Sequence, residues 1–231
     1  MDKKAFALAI DGPVAAGKGT VAKKVAQALH AFHLYTGAMY RCLSLFCLDK
    51  GIDFADEETV VAALSHATIA FQNDTVLLNG IDVTKRLQSQ DVANGASLIA
   101  TFPKVREQMV GKQQQIAQDA MSRGMIVVSE GRDTGTKVFP EAPLKVYLTA
   151  SAEIRANRRL IQYRELGRDI SLEEVLAEVQ ARDKRDTGRS ADPLPSNPAE
   201  HGYFILDDSG LSEEQTVGAI LDELKKRNLI S

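Results

Sequence analysis

The sequence lacks an excess of positive charge and has few cysteines. Its formal net charge is -3 at pH 7 and its isoelectric point is near 5.9, which argues against the basic surface that duplex nucleic acid requires. The two cysteines, Cys42 and Cys47, lie on a segment with helical spacing, which indicates neither a disulfide framework nor a four-ligand zinc site. We therefore expect no polymeric nucleic acid as a partner and two ordinary helix cysteines.

The sequence also lacks a long apolar run. The start, "MDKKAFALAID", has about six apolar residues in a row, too few for a signal segment or a bilayer span. We therefore expect a cytoplasmic protein without a membrane partner, whose first strand lies here. The hydrophobic share of 44% and charged share of 26% over 231 residues are typical of one globular unit with an insertion.

Five short apolar runs predict buried strands. They cover residues 5–10, 32–35, 125–129, 144–149 and 203–207. The segments between several of them have apolar residues at helical spacing, as in Val21, Val25 and Leu29 or Ile220 and Leu224. Alternation of strand and helix is typical of an α/β fold with a parallel sheet covered on both faces.

Two regions depart from this alternation. Residues 66–87 form three short alternating stretches with turn residues at Asn73-Asp74 and Asn79-Gly80, which predict a small inserted antiparallel sheet. A long helix is then expected from Pro103 to about residue 123, ended by Gly124. Residues 151–189 predict two arginine-rich helices joined at 167–170, the second with a Ser171 and Glu174 capping box.

The stretch "AIDGPVAAGKGTVAKK", residues 9–24, contains the frame of a phosphate-binding loop. A glycine-rich turn between a strand and a helix directs backbone N–H groups into one concavity, and the helix dipole also attracts anions. A lysine adds a mobile cation for the β- and γ-phosphates of ATP. The predicted nucleotide-binding residues are Gly12, Pro13, Val14, Ala15, Ala16, Gly17, Lys18, Gly19 and Thr20.

The residue after the loop lysine is Gly19, where most such loops have a hydroxyl that binds Mg²⁺. The metal would then be held mainly by phosphate oxygens, water and another carboxylate. Glu130 is the candidate, acting through water, because it follows a strand at the edge where α/β sheets bind ligands. The alternative is a solvent-exposed glutamate at the end of a strand.

Four stretches together resemble the bacterial cytidylate kinase family of nucleoside monophosphate kinases. They are "GKGT" at 17–20, "TGAMYR" at 36–41, "GRDTGTKVFP" at 131–140 and "RDKRDTGR" at 182–189. The resemblance implies a P-loop kinase fold, with a five-stranded parallel sheet flanked by helices, a small antiparallel-sheet insertion and a helical lid. It also implies transfer of the ATP γ-phosphate to CMP or dCMP, with Mg²⁺.

The resemblance implies a division of the single kinase unit, residues 1–231, into three regions. The core would comprise residues 1–34, 101–150 and 190–231. The monophosphate-binding region would cover 35–100, with its small sheet near 66–87, and the arginine-rich lid and following helix 151–189. The expected partners are the small molecules CMP or dCMP and ATP, and a monomer is the default for so compact an enzyme.

Two sets of residues in the lid region have helical spacing. Arg155, Arg158 and Arg159 would share one helix face and reach a transferring phosphoryl group as catalytic residues, together with Lys18. Arg182, Asp186 and Arg189 form a second face, and the resemblance implies sugar and phosphate contacts there. The alternative for each set is a solvated ion-pair ladder, worth only about 0.3–0.5 kcal/mol per pair.

The resemblance also implies a set of acceptor-binding residues. Base reading is assigned to Ser97, Arg106 and Asp133, because hydroxyls, an arginine and a carboxylate complement the polar edge of cytosine. The acceptor phosphate is assigned to arginines with a planar fork. The full set is Thr36, Arg41, Ser97, Arg106, Arg132, Asp133, Arg182, Asp186 and Arg189.

Two of these residues have structural alternatives, and several positions depart from the family pattern: Tyr35, Glu130, Lys137 and the loop residues Val14 and Ala15. Thr36 could cap the following helix, and Ser97 could satisfy a helix carbonyl. Ala15 occupies a loop position that more often holds a small residue or glycine, and alanine can follow the loop if its φ is negative.

Two other functions stay open from the sequence. A kinase of the same class could act on another nucleoside monophosphate or a small acceptor. A nucleotide-dependent switch or binding module is more distant, because the sequence has no Asn-Lys-x-Asp stretch for guanine and would have no use for an arginine-rich lid.

Overall fold

A computed structural model describes residues 5–72, 74–165 and 167–231. The charged start at 1–4, Asn73 of the first predicted turn, and Leu166 near the end of the first lid helix lie outside the described residues. The described chain forms two compact units. One comprises the residues up to His33 together with Asp119–Ser231, and the other is Leu34–Gln118.

Eight strands and eight α-helices are present in the described ranges. The strands are β1 Ala7–Asp11, β2 Phe32–Tyr35, β3 Ile69–Gln72, β4 Thr75–Leu78, β5 Ile81–Asp82, β6 Val127–Glu130, β7 Leu144–Thr149 and β8 Phe204–Asp207. The helices are α1 Lys18–Leu29, α2 Thr36–Lys50, α3 Glu57–His66, α4 Gln90–Ile99, α5 Pro103–Ser122, α6 Ala152–Glu165, α7 Leu172–Gly188 and α8 Glu213–Lys226.

The main sheet has five strands in the order β2-β6-β1-β7-β8, and the pairs of β1 with β6, β1 with β7 and β7 with β8 are parallel. Its central strands are buried on both faces, because helices supply apolar side chains to the same core. The core includes Leu8, Ile10, Val21, Val25, Val128, Val146, Leu148, Ile220 and Leu224. The predicted α/β class and five-stranded sheet are confirmed.

The predicted strand bounds differ by two residues at β1 and β6. Met125, where a strand was expected to begin, still donates its N–H to the Ala120 carbonyl at 3.2 Å. This bond belongs to the end of the preceding helix region, so the ladder of β6 begins only at Val127, whose N–H bonds the Phe6 carbonyl at 2.9 Å. Apolar runs mark burial, whereas strand bounds depend on these hydrogen bonds.

The second unit contains a three-stranded antiparallel sheet in the order β3-β4-β5. Asn79 and Gly80 have φ of 51° and 81°, as a two-residue hairpin turn requires. The third predicted stretch, 81–87, was wrong beyond Asp82. There the Asp82 carboxylate accepts the Thr84 N–H at 2.9 Å, and a single 3-10 turn follows at Arg86–Gln88.

The two lid helices, α6 and α7, occur as expected. Ser171 and Glu174 form the predicted capping box, and the facing sides of the helices bury a small apolar cluster that includes Leu160, Val175 and Val179. Cys42 and Cys47 both lie buried in α2, where burial raises the pKa of their thiols to about 12 and about 11. No described helix is long and apolar enough to cross a membrane.

Candidate active site

The phosphate loop connects the end of β1 to the start of α1. Gly12 has a φ of 150°, and a β-carbon there would lie 2.0 Å from the Leu148 carbonyl oxygen of β7. Gly17 has a φ of 81° immediately before the helix. Only glycine can bring the backbone this close to a neighbouring strand and reverse it at such a φ, so the loop shape depends on both residues.

Ala15 does not meet the condition under which alanine follows the loop without strain. Its φ is 59°, in the left-handed region, and not negative. An L-residue in this region costs about 1–2 kcal/mol, because its β-carbon crowds the backbone. The loop therefore has local strain at residue 15, of the kind that is found at functional sites.

Lys18 begins α1 and is buried. Its ammonium donates a hydrogen bond to the Pro13 carbonyl at 2.6 Å, so the side chain folds back over the loop. Burial and then repulsion from Arg132 lower the pKa of Lys18 well below its ordinary value, against the opposing attraction of Glu130 and acidic groups nearby. An incoming anionic phosphate would favour the charged form of this lysine.

Glu130, at the end of β6, is only 5% exposed. The alternative of a solvent-exposed glutamate is therefore wrong. A β-carbon built on Gly19 would lie 3.8 Å from the Glu130 Oε1, so the carboxylate lies beside the position where other loops carry a hydroxyl. The described residues contain no group of three or more His, Cys, Asp or Glu side chains able to hold a metal. One carboxylate fits Mg²⁺ bound mainly by substrate phosphates and water.

Arg132 and Asp186 form a buried ion pair. The Arg132 Nε donates to the Asp186 carboxylate at 2.7 Å, and the Arg182 Nε is 4.0 Å from the same carboxylate. Burial opposes the charge on Asp186, but attraction to Arg132 and Arg182 outweighs it and the pKa of Asp186 is lowered. The pKa of Arg132 is raised by Asp186 despite burial, so both partners are charged.

Asp133 and Arg189 form a second connection between the same two stretches, with 3.5 Å between the Arg189 Nη2 and the Asp133 Oδ1. Arg189 caps the end of α7, and its Nε also donates to the Asp192 carbonyl at 2.8 Å. The polar face of α7 is thus paired with the "GRD" stretch. It is not a solvated ladder of its own charges.

The three arginines of α6 have the predicted helical spacing, but their guanidiniums have different partners. The buried Arg155 reaches the phosphate loop, where its Nη1 donates to the Val14 carbonyl at 3.0 Å and to the Asp183 carboxylate at 2.7 Å. Arg159 instead lies over the Tyr163 ring, 4.5 Å from its centroid. The helix spacing was correct, but separate local partners orient each guanidinium differently.

Arg158 pairs with Asp208, which directly follows β8. Its Nη1 donates to the two carboxylate oxygens at 2.9 and 3.1 Å. A β-carbon on Gly17 would lie 3.8 Å from this Nη1, so the pair borders the phosphate loop. Burial raises the pKa of Asp208, although the arginine opposes the shift.

Three acidic residues near the loop were missed from the sequence: Asp11, Asp183 and Asp208. Asp11 is fully buried, and its carboxylate accepts bonds from the Thr134 N–H at 3.0 Å, the Gly135 N–H at 2.7 Å and the Tyr203 hydroxyl at 2.7 Å. Asp11 is the last residue of β1 and Asp208 directly follows β8, so the rule that ligands bind at the carboxyl ends of parallel strands could have indicated them.

The second unit contains the other predicted acceptor residues. Arg106 is 1% exposed, donates to the Ala100 carbonyl at 3.2 Å and lies 5.8 Å from the centroid of the Tyr40 ring. Arg41 donates to the Leu87 carbonyl. Both guanidiniums are therefore held within this unit, as a fixed binding group requires.

The structural alternatives for the two hydroxyl residues were wrong. Thr36 is the first residue of α2 and not its N-cap, which is Tyr35. Ser97 is buried in α4, and its hydroxyl finds no hydrogen-bond partner among the described residues, so it does not satisfy a helix carbonyl. The binding roles of both residues stay predictions.

A parallel sheet with a glycine-rich loop between β1 and α1, and a buried lysine folded over that loop, defines a nucleotide-binding protein of the P-loop kinase fold. The profile of the cytidylate kinase family matches residues 8–226. The chain belongs to the cytidylate kinase family.

Curated relatives match almost the whole chain. The cytidylate kinase of Pseudomonas syringae pv. tomato is 40% identical over 235 residues, which cover 99% of both chains. That of Shigella boydii serotype 4 is 41% identical over 224 residues, or 95% of both chains.

Solved structures support the fold alone. A Thermus thermophilus protein matches with a TM-score of 0.50 and 19% identity over 96% of this chain and 99% of its own. An uncharacterized protein from Eubacterium ventriosum matches with a TM-score of 0.54 and 13% identity over the same shares.

Proposed function

We propose that this chain transfers the γ-phosphate of ATP to CMP or dCMP and releases ADP with CDP or dCDP. The observation that carries the proposal is the likeness, over nearly the full length, to curated cytidylate kinases. The site adds support from its own chemistry, because a phosphate loop with a buried lysine lies next to paired arginines. Such a reaction needs positioning and charge neutralisation more than covalent chemistry.

In the proposed reaction, a CMP phosphate oxygen attacks the γ-phosphorus in line, and the bond to the β-phosphate oxygen breaks. Lys18 and Arg155 share the charge that develops on the transferred group. No general base is required, because a phosphate monoester with a second pKa of about 6 is largely ionised at pH 7. Arg158 and Arg159 are proposed to join them when nucleotide displaces their present partners.

Glu130 is the proposed carboxylate that would hold Mg²⁺ through water, and the ion would supply neutralisation of the phosphate charge. The nearness of Glu130 to Gly19 supports this role. The nucleotide itself is assigned to the N–H groups and side chains of residues 12–20.

The acceptor is assigned to two groups of residues. Arg41 and Arg132 are proposed for the CMP phosphate, and Ser97, Arg106 and Asp133 for the cytosine edge. The buried hydroxyl of Ser97, which lacks a partner among the described residues, supports a ligand contact. Thr36, Arg182, Asp186 and Arg189 are proposed to complete the sugar and phosphate contacts.

The proposal is tested by a coupled assay of ADP release with ATP and Mg²⁺. CMP, dCMP, UMP, AMP and GMP are compared with a control that lacks acceptor. We expect the highest kcat/KM with CMP or dCMP. A higher value with another acceptor would favour a different monophosphate kinase, and turnover with none of them would reject the proposal.

Two variants test the assigned roles. Lys18→Ala should reduce kcat at saturating ATP by about 100-fold or more, because an electrostatic contact to the transition state is lost. Lys24→Ala is the matched control, since Lys24 lies on the same helix in an exposed ion pair with Glu213 and should keep normal turnover. Asp133→Ala should weaken CMP use far more than ATP binding, and equal losses would remove Asp133 from the acceptor site.

A further inference from the structure

Asp183, on α7, connects the lid to the phosphate loop. Its Oδ1 accepts the Val14 N–H at 3.1 Å, and its Oδ2 accepts from the Arg155 Nη1 at 2.7 Å. The same Nη1 donates to the Val14 carbonyl at 3.0 Å. Both polar backbone groups of one loop residue are thus bound by a charged pair from the two lid helices.

This connection is largely buried and is reinforced by apolar packing. The side chains of Arg155 and Asp183 are only 8% and 21% exposed, so water replaces their mutual hydrogen bonds poorly. The Val14 side chain packs against the apolar cluster of α6 and α7. Residue 14 is consequently held by the lid through its side chain, its N–H and its carbonyl group.

The bonds also fix the direction of the Arg155 guanidinium. Its Nε donates to the Ala150 carbonyl at 3.0 Å, and Nη1 is occupied by Val14 and Asp183. No hydrogen bond of Nη2 is found among the described residues. The guanidinium is therefore held at the loop with one nitrogen left for an anion, which a long free side chain would achieve only at an entropic cost.

We propose that Asp183 is a positioning residue for phosphoryl transfer, which acts by holding the Arg155 guanidinium in register with the phosphate loop. It touches no substrate itself. The proposal rests on the proposed function above and deepens it, because it assigns the orientation of a catalytic arginine to a residue outside the predicted set. Asp183 acts through Arg155, so its effect on the rate should depend on that arginine.

Asp183→Asn is the decisive substitution because asparagine keeps the size and one acceptor oxygen. That oxygen can serve either Val14 or Arg155 but not both, and the amide donors would face the second partner. We expect kcat with ATP and CMP to fall by about 10- to 100-fold, in line with the loss of one positioned contact. The KM for CMP should change by less than about twofold, because Asp183 contacts no acceptor group.

A double-mutant cycle separates positioning from general destabilisation. Arg155→Ala and Asp183→Asn are measured singly and together, and Asp222→Asn, an exposed carboxylate on α8, is the matched control that should keep normal kcat. If Asp183 acts through Arg155, the double variant is no slower than Arg155→Ala by more than about twofold. Independent, multiplicative losses would overturn the proposal.

A stability measurement and a substitute variant complete the test. The melting temperatures of the single and double variants should differ only weakly from that of wild type. If the activity lost by Asp183→Asn merely equals the fraction of that variant that is unfolded, the proposal is also overturned. If Asp183→Asn does not fold, Asp183→Glu, which keeps the charge at a changed distance, replaces it in the same cycle.

The activity of the wild-type protein distinguishes failure of the proposed function from failure of the positioning role. If wild type fails with every acceptor, the proposed function is rejected, and the cycle is repeated on ATP affinity by calorimetry without acceptor. A loss of affinity in Asp183→Asn that disappears in the Arg155→Ala background would still support the positioning role. Equal losses in both backgrounds would overturn it.

Discussion

The alanines of the phosphate loop offer a sharp test of backbone conformation. Ala15 has a φ of 59° and is partly buried, whereas its neighbour Ala16 is not in the left-handed region and is fully buried. Replacing either alanine by glycine removes one methyl group. The two substitutions should nevertheless change stability in opposite directions, because only residue 15 has a conformation that glycine favours.

The magnitudes follow from the two local environments. At residue 15, glycine removes about 1–2 kcal/mol of left-handed strain and costs about 0.5–1 kcal/mol of backbone entropy, and the midpoints of these ranges give a net gain of about 0.75 kcal/mol. At residue 16, glycine adds the same entropy cost to the loss of about 0.8 kcal/mol of methyl burial. Ala16→Gly should therefore lose about 1.5 kcal/mol.

Calorimetric melting of the unliganded protein measures both effects. For a chain of this size, about 1 kcal/mol shifts Tm by roughly 2–4 °C. We expect Ala15→Gly to raise Tm by about 1–4 °C and Ala16→Gly to lower it by about 3–6 °C. A decrease of similar size in both variants would show that residue 15 has no left-handed strain, and the reasoning would fail.

Three further predictions concern the same site. Because burial and Arg132 lower the pKa of Lys18, its ammonium destabilises the folded state below that pKa. As pH rises from the lowered pKa to the ordinary value of 10.5, the unfolding free energy of wild type should therefore increase relative to that of Lys18→Met. Urea titrations measure both values, and a difference that does not depend on pH would contradict the prediction. Gly19→Ser should fold, since its β-carbon would be 3.8 Å from Glu130. Its hydroxyl should make the Mg²⁺-dependent activity less sensitive to Glu130→Gln than the activity of wild type is. Equal sensitivity in the two backgrounds would argue against a metal role at this position. Gly135→Ala should lower stability by about 1–3 kcal/mol, because its β-carbon would lie 2.7 Å from the Tyr203 hydroxyl; a wild-type Tm would refute that contact.

Much of the fold could be predicted because buried strands and tight turns depend on the residue types of short stretches of sequence. The runs at 32–35 and 144–149 became strands with the predicted bounds, because short runs rich in apolar and aromatic residues favour strands on a partly buried sheet surface. Asn79-Gly80 marked a hairpin for an equally local reason. The stretch beyond Asp82 could not be predicted from its alternating pattern, because the Asp82 carboxylate binds the Thr84 N–H in place of a strand partner.

The site was predictable in its residue types but not in its pairings. Helical spacing placed Arg155, Arg158 and Arg159 along α6, yet Arg155 and Arg158 are oriented by carboxylates that are distant in sequence, whereas Arg159 lies over Tyr163 of the same helix. Asp183 and Asp208 are 28 and 50 residues from their arginines, and no periodicity encodes such contacts. The φ of Ala15 likewise depends on how the loop closes between β1 and α1.

The pairing of the loop cations with carboxylates has an electrostatic consequence at long range. Lys18, Arg132, Arg155 and Arg158 lie near Glu130, Asp186, Asp183 and Asp208, so the four positive charges are matched by four negative charges. The field that reaches solvent is that of close dipoles, which decays within a few ångströms and is little altered by salt. These paired groups should therefore add little electrostatic steering to the diffusional encounter with ATP.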